Sequence, residues 1–287
     1  MTDFVVGHRE VVQRLKRLLG GGRFPHSLLF VGREGIGKKR VAHVASAFYL
    51  CPEGGCLKCR HCKRALSGVH PDMRVELPRG ESILIEQVRS LKEWAHLAPM
   101  EGERKVAVID DAHLMNPAAA NAFLKTLEEP PEGTLFILIT SEQSRLLPTI
   151  VSRCQTVRFS PLTKEEVRLI CEREGAPERV KRLCVETGSL MFLRVGEEEI
   201  ERAQEAARNL VEGPSPSLLQ CQVWKQRTSF LLFLYLARRL LNERMRASGL
   251  NLRLWEMHRR LLEVEKLYYS SNVSLRSLYD YLVLRAA

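Results

Sequence analysis

Residues 27–50 read SLLFVGREGIGKKRVAHVASAFYL. Leu28–Val31 is a short apolar run suited to a buried strand, and Val41–Leu50 carries apolar residues at helical spacing. Between them lies Gly32-Arg-Glu-Gly-Ile-Gly37-Lys38-Lys39. A glycine turn between a strand and a helix aims backbone amides at phosphate, with the helix N-terminus and a lysine adding positive charge. Gly32, Gly35, Gly37 and Lys38 therefore form a candidate nucleotide-binding loop. Its last position departs from the pattern, because the hydroxyl that would ligate magnesium is replaced by Lys39. The alternative reading is a turn that only links strand to helix.

Outward from this loop, apolar runs recur at Met73–Leu77, Val106–Asp110, Leu135–Thr140 and Thr156–Phe159, separated by helical patterns at Lys38–Leu50, Ile83–Leu97 and Ala118–Leu127. Strands alternating with helices predict an α/β domain over 1–161 with a five-stranded parallel sheet covered on both faces. The strand signals stop after Pro161, and Thr163-Lys-Glu-Glu166 is a capping box opening a helix. A small helical lid is expected over 162–212, a stiff linker over 213–217, and an all-α collar or oligomerisation domain over 218–287.

The 287 residues are 45% hydrophobic and 27% charged, which fits a globular chain and disfavours disorder or a membrane span. The most apolar late stretch, Phe230–Leu236, is too short for a bilayer and runs into Arg238 and Arg239. The first residues, Met1-Thr2-Asp3-Phe4, show no basic region followed by an apolar one, so a cytoplasmic location is expected. Net charge is +10, of which +7 lies in 214–287 with its 12 basic and 5 acidic residues. A basic segment can attract nucleic acid, or can simply be a solvated helical surface.

Four of the eight cysteines crowd into Cys51-x4-Cys56-x2-Cys59-x2-Cys62. In a reducing compartment that spacing favours a zinc knuckle over disulfides, with Gly54 and Gly55 allowing the bend. Four thiolates fill a tetrahedron, so the zinc would be structural; His61 and His70 are alternative ligands. Val106-Ala-Val-Ile-Asp110-Asp111 is an apolar strand ending in two acids, of which the first could hold magnesium and the second polarise water. Asp111 is one methylene short of the usual glutamate. The competing reading has these acids cap the helix beginning at Asn116-Pro117.

Three passages, taken in order, resemble the clamp-loader branch of the AAA+ superfamily. They are the loop followed by the four-cysteine insertion, Asn116–Pro131 (NPAAANAFLKTLEEPP), and Ser152-Arg153-Cys154. The resemblance covers roughly residues 1 to 212. It implies an AAA+ P-loop fold and a role in loading sliding clamps onto primed DNA, within a bacterial DNA polymerase III holoenzyme at the nucleoid. It implies partners as well: ATPase motor subunits and a clamp-opening subunit. It gives Arg153 the part of an arginine finger acting in trans on ATP held by a neighbour, and Thr140 or Ser141 the sensor 1 position. Sensor 2 is missing, since Gly188-Ser189 is followed by Leu190 and Met191, with the nearest arginine at Arg194. Together with Lys39 and Asp111, this leads us to expect a subunit that does not hydrolyse ATP, so ATP and magnesium are doubtful ligands. The alternatives are an active ATPase of the same branch, or a zinc-stabilised DNA-binding adaptor.

Overall fold

The computed structural model describes residues 5–20, 24–213, 221–248, 251–270 and 273–284. Residues 1–4 at the start of the chain and 214–217 of the expected linker lie outside them. The chain forms two compact units, residues 1–190 and 191–287.

In the first unit the elements run α1 (Arg9–Gly20), β1 (Ser27–Val31), α2 (Lys38–Leu50), α3 (Arg60–Ser67), β2 (Met73–Glu76) and α4 (Ile85–His96), then β3 (Lys105–Ile109) and α5 (Pro117–Glu128). They continue with β4 (Thr134–Thr140), α6 (Pro148–Val151), β5 (Gln155–Arg158), α7 (Lys164–Arg173) and α8 (Glu178–Thr187). The five strands make one sheet in the order β2-β3-β4-β1-β5, with every pair parallel. This is the fold class that the alternating pattern predicted. β3 and β4 are buried along their whole length, as strands covered on both faces must be.

Alternation assigns the two faces. Leu29, Ala107, Ile109, Phe136 and Leu138 join residues of α4 and α5, including Val88, Leu91 and Phe123, in one cluster. The residues between them in sequence face α2, which packs on β3 and β4 and has α1 alongside it. The capping box forms as read: the Glu166 amide donates to Thr163 Oγ1 at 3.2 Å, and the Thr163 amide to Glu166 Oε2 at 2.8 Å.

In the second unit, α9 (Glu197–Glu212) packs on α10 (Arg227–Ser248), followed by α11 (Leu252–Ser270) and α12 (Leu275–Leu284). The span expected to be a lid is thus shared, with α7 and α8 in the first unit and α9 in the second. Phe230, Leu232 and Phe233 are fully buried, and Arg238 pairs with Glu265 at 3.0 Å. Among the described residues, no helix is long and apolar enough to cross a membrane.

β3 begins one residue before the apolar run, at Lys105, which is 3% exposed. Its ammonium donates to the carbonyls of Trp94 and, at 2.8 Å, Leu97, and lies 4.2 Å from the Trp94 ring centre. Trp94 is in the last turn of α4 and its carbonyl also accepts from the Leu97 amide at 3.2 Å, while Leu97 is the residue after the helix, so Lys105 ties the end of α4 to the strand. Burial lowers the pKa of Lys105, and the nearby Asp72 partly opposes that. Lys105→Met should lower stability by about 0.5–1.5 kcal/mol, because it removes the hydrogen bonds that join β3 to the end of α4. A shifted urea midpoint would show this, and an unchanged one would contradict it.

Candidate nucleotide and metal sites

Gly35 and Gly37 adopt positive φ, 74° and 91°, and Gly37 precedes α2 as its cap. Five consecutive carbonyls of the loop are held by the protein. Lys38 Nζ donates to Gly32 O at 2.6 Å and Arg33 O at 2.7 Å, and Ser189 Oγ to Glu34 O at 3.3 Å. The Leu190 amide donates to Gly35 O at 2.7 Å, and buried His8 Nε2 to Ile36 O at 2.7 Å. These bonds fix the backbone conformation of residues 32–36. Ser189 and Leu190, which follow the left-handed Gly188 at the end of α8, thus tie the loop down.

Asp110 and Asp111 follow β3 at the same edge of the sheet as the loop. Lys39 Nζ lies 3.2 Å from Asp110 Oδ2, and the Asp111 amide donates to Asp110 Oδ1 at 3.1 Å. Asp111 takes a left-handed conformation, φ 49°, before a short 3-10 turn at Ala112–Leu114. Neither acid caps α5, whose cap is Asn116 Oδ1 accepting from the Ala119 amide at 2.7 Å. Thr140, at the end of β4, is fully buried; its hydroxyl meets His113 Nδ1 at 3.2 Å and accepts from the Glu142 amide at 3.0 Å. Ser141 Oγ is buried with no hydrogen-bond partner among the described residues.

Arg153 stands at the other end of the sheet. Ser27 Oγ, at the first residue of β1, donates to the Arg153 carbonyl at 2.7 Å. The loop follows the last residue of β1, five residues further on, or about 16 Å along an extended strand. The guanidinium pairs with Glu128 Oε1 at 2.6 Å and donates to Thr149 O at 3.0 Å, with a third of its side chain exposed. Sequence reasoning missed Glu128, which sits inconspicuously among the acids and prolines closing α5. Cys154 beside it is buried, and burial pushes its thiol up to about 11, so it packs rather than reacts.

The four cysteine sulfurs all lie within 4.8 Å of one another. Cys51 is 3.7 Å from Cys56 and 3.7 Å from Cys59, and Cys56 is 4.0 Å from Cys62. A disulfide would need about 2.05 Å. A tetrahedron of thiolates with metal–sulfur bonds of about 2.3 Å has edges of about 3.8 Å, close to what is found. The amides of Cys56, Leu57, Lys58, Cys59 and Cys62 point at these sulfurs, with N···S distances of 3.3–3.5 Å. Such donors favour thiolates. Leu57 accepts a positive φ of 59° to bring its amide to Cys62 Sγ. Gly55 is required by space as well as by φ, because a Cβ there would lie 2.5 Å from Phe48 Cδ1. Burial raises the Cys51 thiol, but the amides of Cys56 and Gly55 and the Cys62 thiol outweigh it and bring it down to about 7. Burial and the Cys51 thiol push Cys62 up. The donor set could hold a metal ion.

His61 and His70 gather with Glu101 in a separate group. The Asp72 amide donates to His70 Nδ1 at 3.1 Å, so neutral His70 carries its proton on Nε2 and donates to His61 Nδ1 at 3.0 Å. Protonated there, Nε2 has no lone pair for an ion. Glu101 is already bound to Arg64 at 2.6 Å and Arg60 at 3.3 Å.

A family model described as DNA polymerase III, delta subunit, matches residues 7–163, more than half of the chain. The chain belongs to this family. It is 38% identical over 185 residues to DNA polymerase III subunit delta' of Bacillus subtilis, covering 63% of this chain and 56% of that one. It is 41% identical over 149 residues to subunit delta' of Pseudomonas aeruginosa, covering 50% and 45% respectively. Subunit tau of B. subtilis is 33% identical over 193 residues, covering 66% of this chain and 34% of tau. The chain thus spans about half the length, or less, of these curated relatives. Among solved structures, a gamma subunit-related protein from Thermotoga maritima superposes with a TM-score of 0.54 at 19% identity, covering 96% of this chain and 99% of that one. That likeness shows a shared fold.

Metal analysis of the purified chain should find one ion per chain. Cys59→Ser takes away a candidate ligand but leaves a hydroxyl able to cap α3, so it should lose the ion and, through that loss, lower the melting temperature by about 5 °C or more. A metal-free wild type of equal stability would contradict the site.

Proposed function

We propose that this chain is a delta'-type subunit of a clamp loader, one that does not turn over ATP itself and supplies Arg153 to ATP bound by a neighbouring motor subunit. The observation that carries this reading is the position of Arg153. It lies at the end of the sheet opposite its own loop, about 16 Å away along β1, and its guanidinium is exposed at the surface. A guanidinium there cannot serve its own loop, so if it acts on phosphate, the phosphate belongs to another molecule. An arginine supplied in trans stabilises charge developing on the transferred phosphoryl group. Relatives named as subunits delta' and tau support the setting.

In this reading the partners are ATPase subunits of the tau and gamma kind and a clamp-opening subunit, with the sliding clamp and primed DNA met through the assembly. Residues 1–161 form the P-loop-like domain, 162–212 serve as a lid, and 218–287 serve as a collar. The location is cytoplasmic, with the replication machinery. The metal of the knuckle is zinc in a structural role, supported by four sulfurs at tetrahedral spacing that leave no ligand position open.

Arg153→Ala should fold normally yet lower ATP turnover at the site it serves by about tenfold or more, because trans arginines contribute at least that. Steady-state ATPase of the reconstituted assembly with primed DNA reads the effect, and an unchanged rate would remove the proposal. The isolated chain should show only background hydrolysis. Robust turnover abolished by Lys38→Ala would instead establish an active ATPase.

A further inference from the structure

A P-loop fold implies magnesium, held by a hydroxyl after the loop lysine and, through water, by the first acid after the neighbouring strand. Tested against that requirement, the residues here do not fit. Position 39 offers an ammonium without a lone pair, and this ammonium rests 3.2 Å from Asp110 Oδ2. The other oxygen, Oδ1, accepts from the Asp111 amide at 3.1 Å. Magnesium needs oxygen ligands at about 2.0–2.1 Å in near-octahedral array and keeps several waters. The two positions that should share its coordination are joined to each other instead.

We infer that Lys39 is the residue that makes this loop indifferent to divalent cations: its ammonium takes the place beside Asp110 that the ion would hold. The inference goes beyond the Arg153 reading and does not depend on it, since it concerns the isolated chain and the opposite edge of the sheet. Three features carry it. The remainder of the loop is well held, with five carbonyls fixed by hydrogen bonds and the glycines at 35 and 37 in left-handed conformation. Lys38 is folded onto the loop's own carbonyls, as a conformational support independent of Lys39. Finally, Lys39 is tethered within reach of Asp110, and a tethered cation competes at an effective concentration that an ion in solution has to overcome.

The contact itself is modest in stability. Lys39 has 44% of its side chain exposed and Asp110 20%, and exposed pairs of this kind contribute little to folding. Lys39 can therefore be exchanged without dismantling the unit, and the pair's effect falls on selectivity between cations. Lys39→Thr restores the hydroxyl and releases Asp110 in one step.

The test measures ATP binding to the full chain by calorimetry, in millimolar magnesium chloride and in EDTA. Wild type should differ by less than about twofold between the two conditions, whatever its absolute affinity. Lys39→Thr should bind at least about tenfold tighter in magnesium than in EDTA. Adding Asp110→Asn to that variant should erase the gain. A natively melting Lys39→Thr without a magnesium effect overturns the inference, as does a gain that survives Asp110→Asn. If Lys39→Thr does not fold, Lys39→Ser takes its place, and the wild type decides independently: a melting temperature raised by ATP only with magnesium present also overturns it. Loss of the Arg153 effect in the assembly would leave every one of these outcomes unchanged.

Discussion

The parallel pairing of β1 between β4 and β5 is the constraint on which the sites depend. Leu29 lies opposite Leu138 on one side and Thr156 on the other, so the three strands share one direction and end together. Their carboxyl ends, with that of β3, place the glycine loop, Asp110 and Thr140 on one edge of the sheet. Their amino ends place Ser27, and through it Arg153, on the opposite edge. A one-residue slip of β1 would exchange the residues packed toward α4 and α5 with those packed toward α2, so the packing on both faces fixes the register. Two sites of different character are kept apart by one set of strand ladders.

Local pattern carried most of the fold. The apolar runs and helical spacings marked all five strands, and the capping box at Thr163 marked the entry to α7. What escaped was whatever tertiary contact decides. A lysine at the head of β3 breaks the apolar pattern, yet Lys105 belongs to the strand because its charge is spent on the carbonyls ending α4. The division between units is likewise hidden, since α9 is as amphipathic as α7 and α8 and only its packing on α10 assigns it.

The candidate sites were legible to different degrees for the same reason. Cysteine spacing is a local property, and the four sulfurs meet as the spacing suggests. The left-handed Leu57 is not local, because nothing in its residue type announces a positive φ, which serves the bond from its amide to Cys62. Lys39 was visible as a missing hydroxyl, but its pairing with Asp110 joins residues 71 positions apart and could not be read. Four thiolates around a divalent ion would carry net charge −2. Lys58, Arg60, Lys63 and Arg64 lie beside them in sequence, and two of these, Arg60 and Arg64, pair with Glu101.

The contact between Arg153 and Glu128 has a consequence for any molecule that approaches this edge. The guanidinium is not waiting bare in solvent; a carboxylate already occupies part of its fork. A newcomer must therefore outbid an incumbent, and association becomes an exchange of one anion for another. Such a swap rewards a dense, multiply charged visitor over a single carboxylate, so the edge discriminates by charge density before any shape is matched.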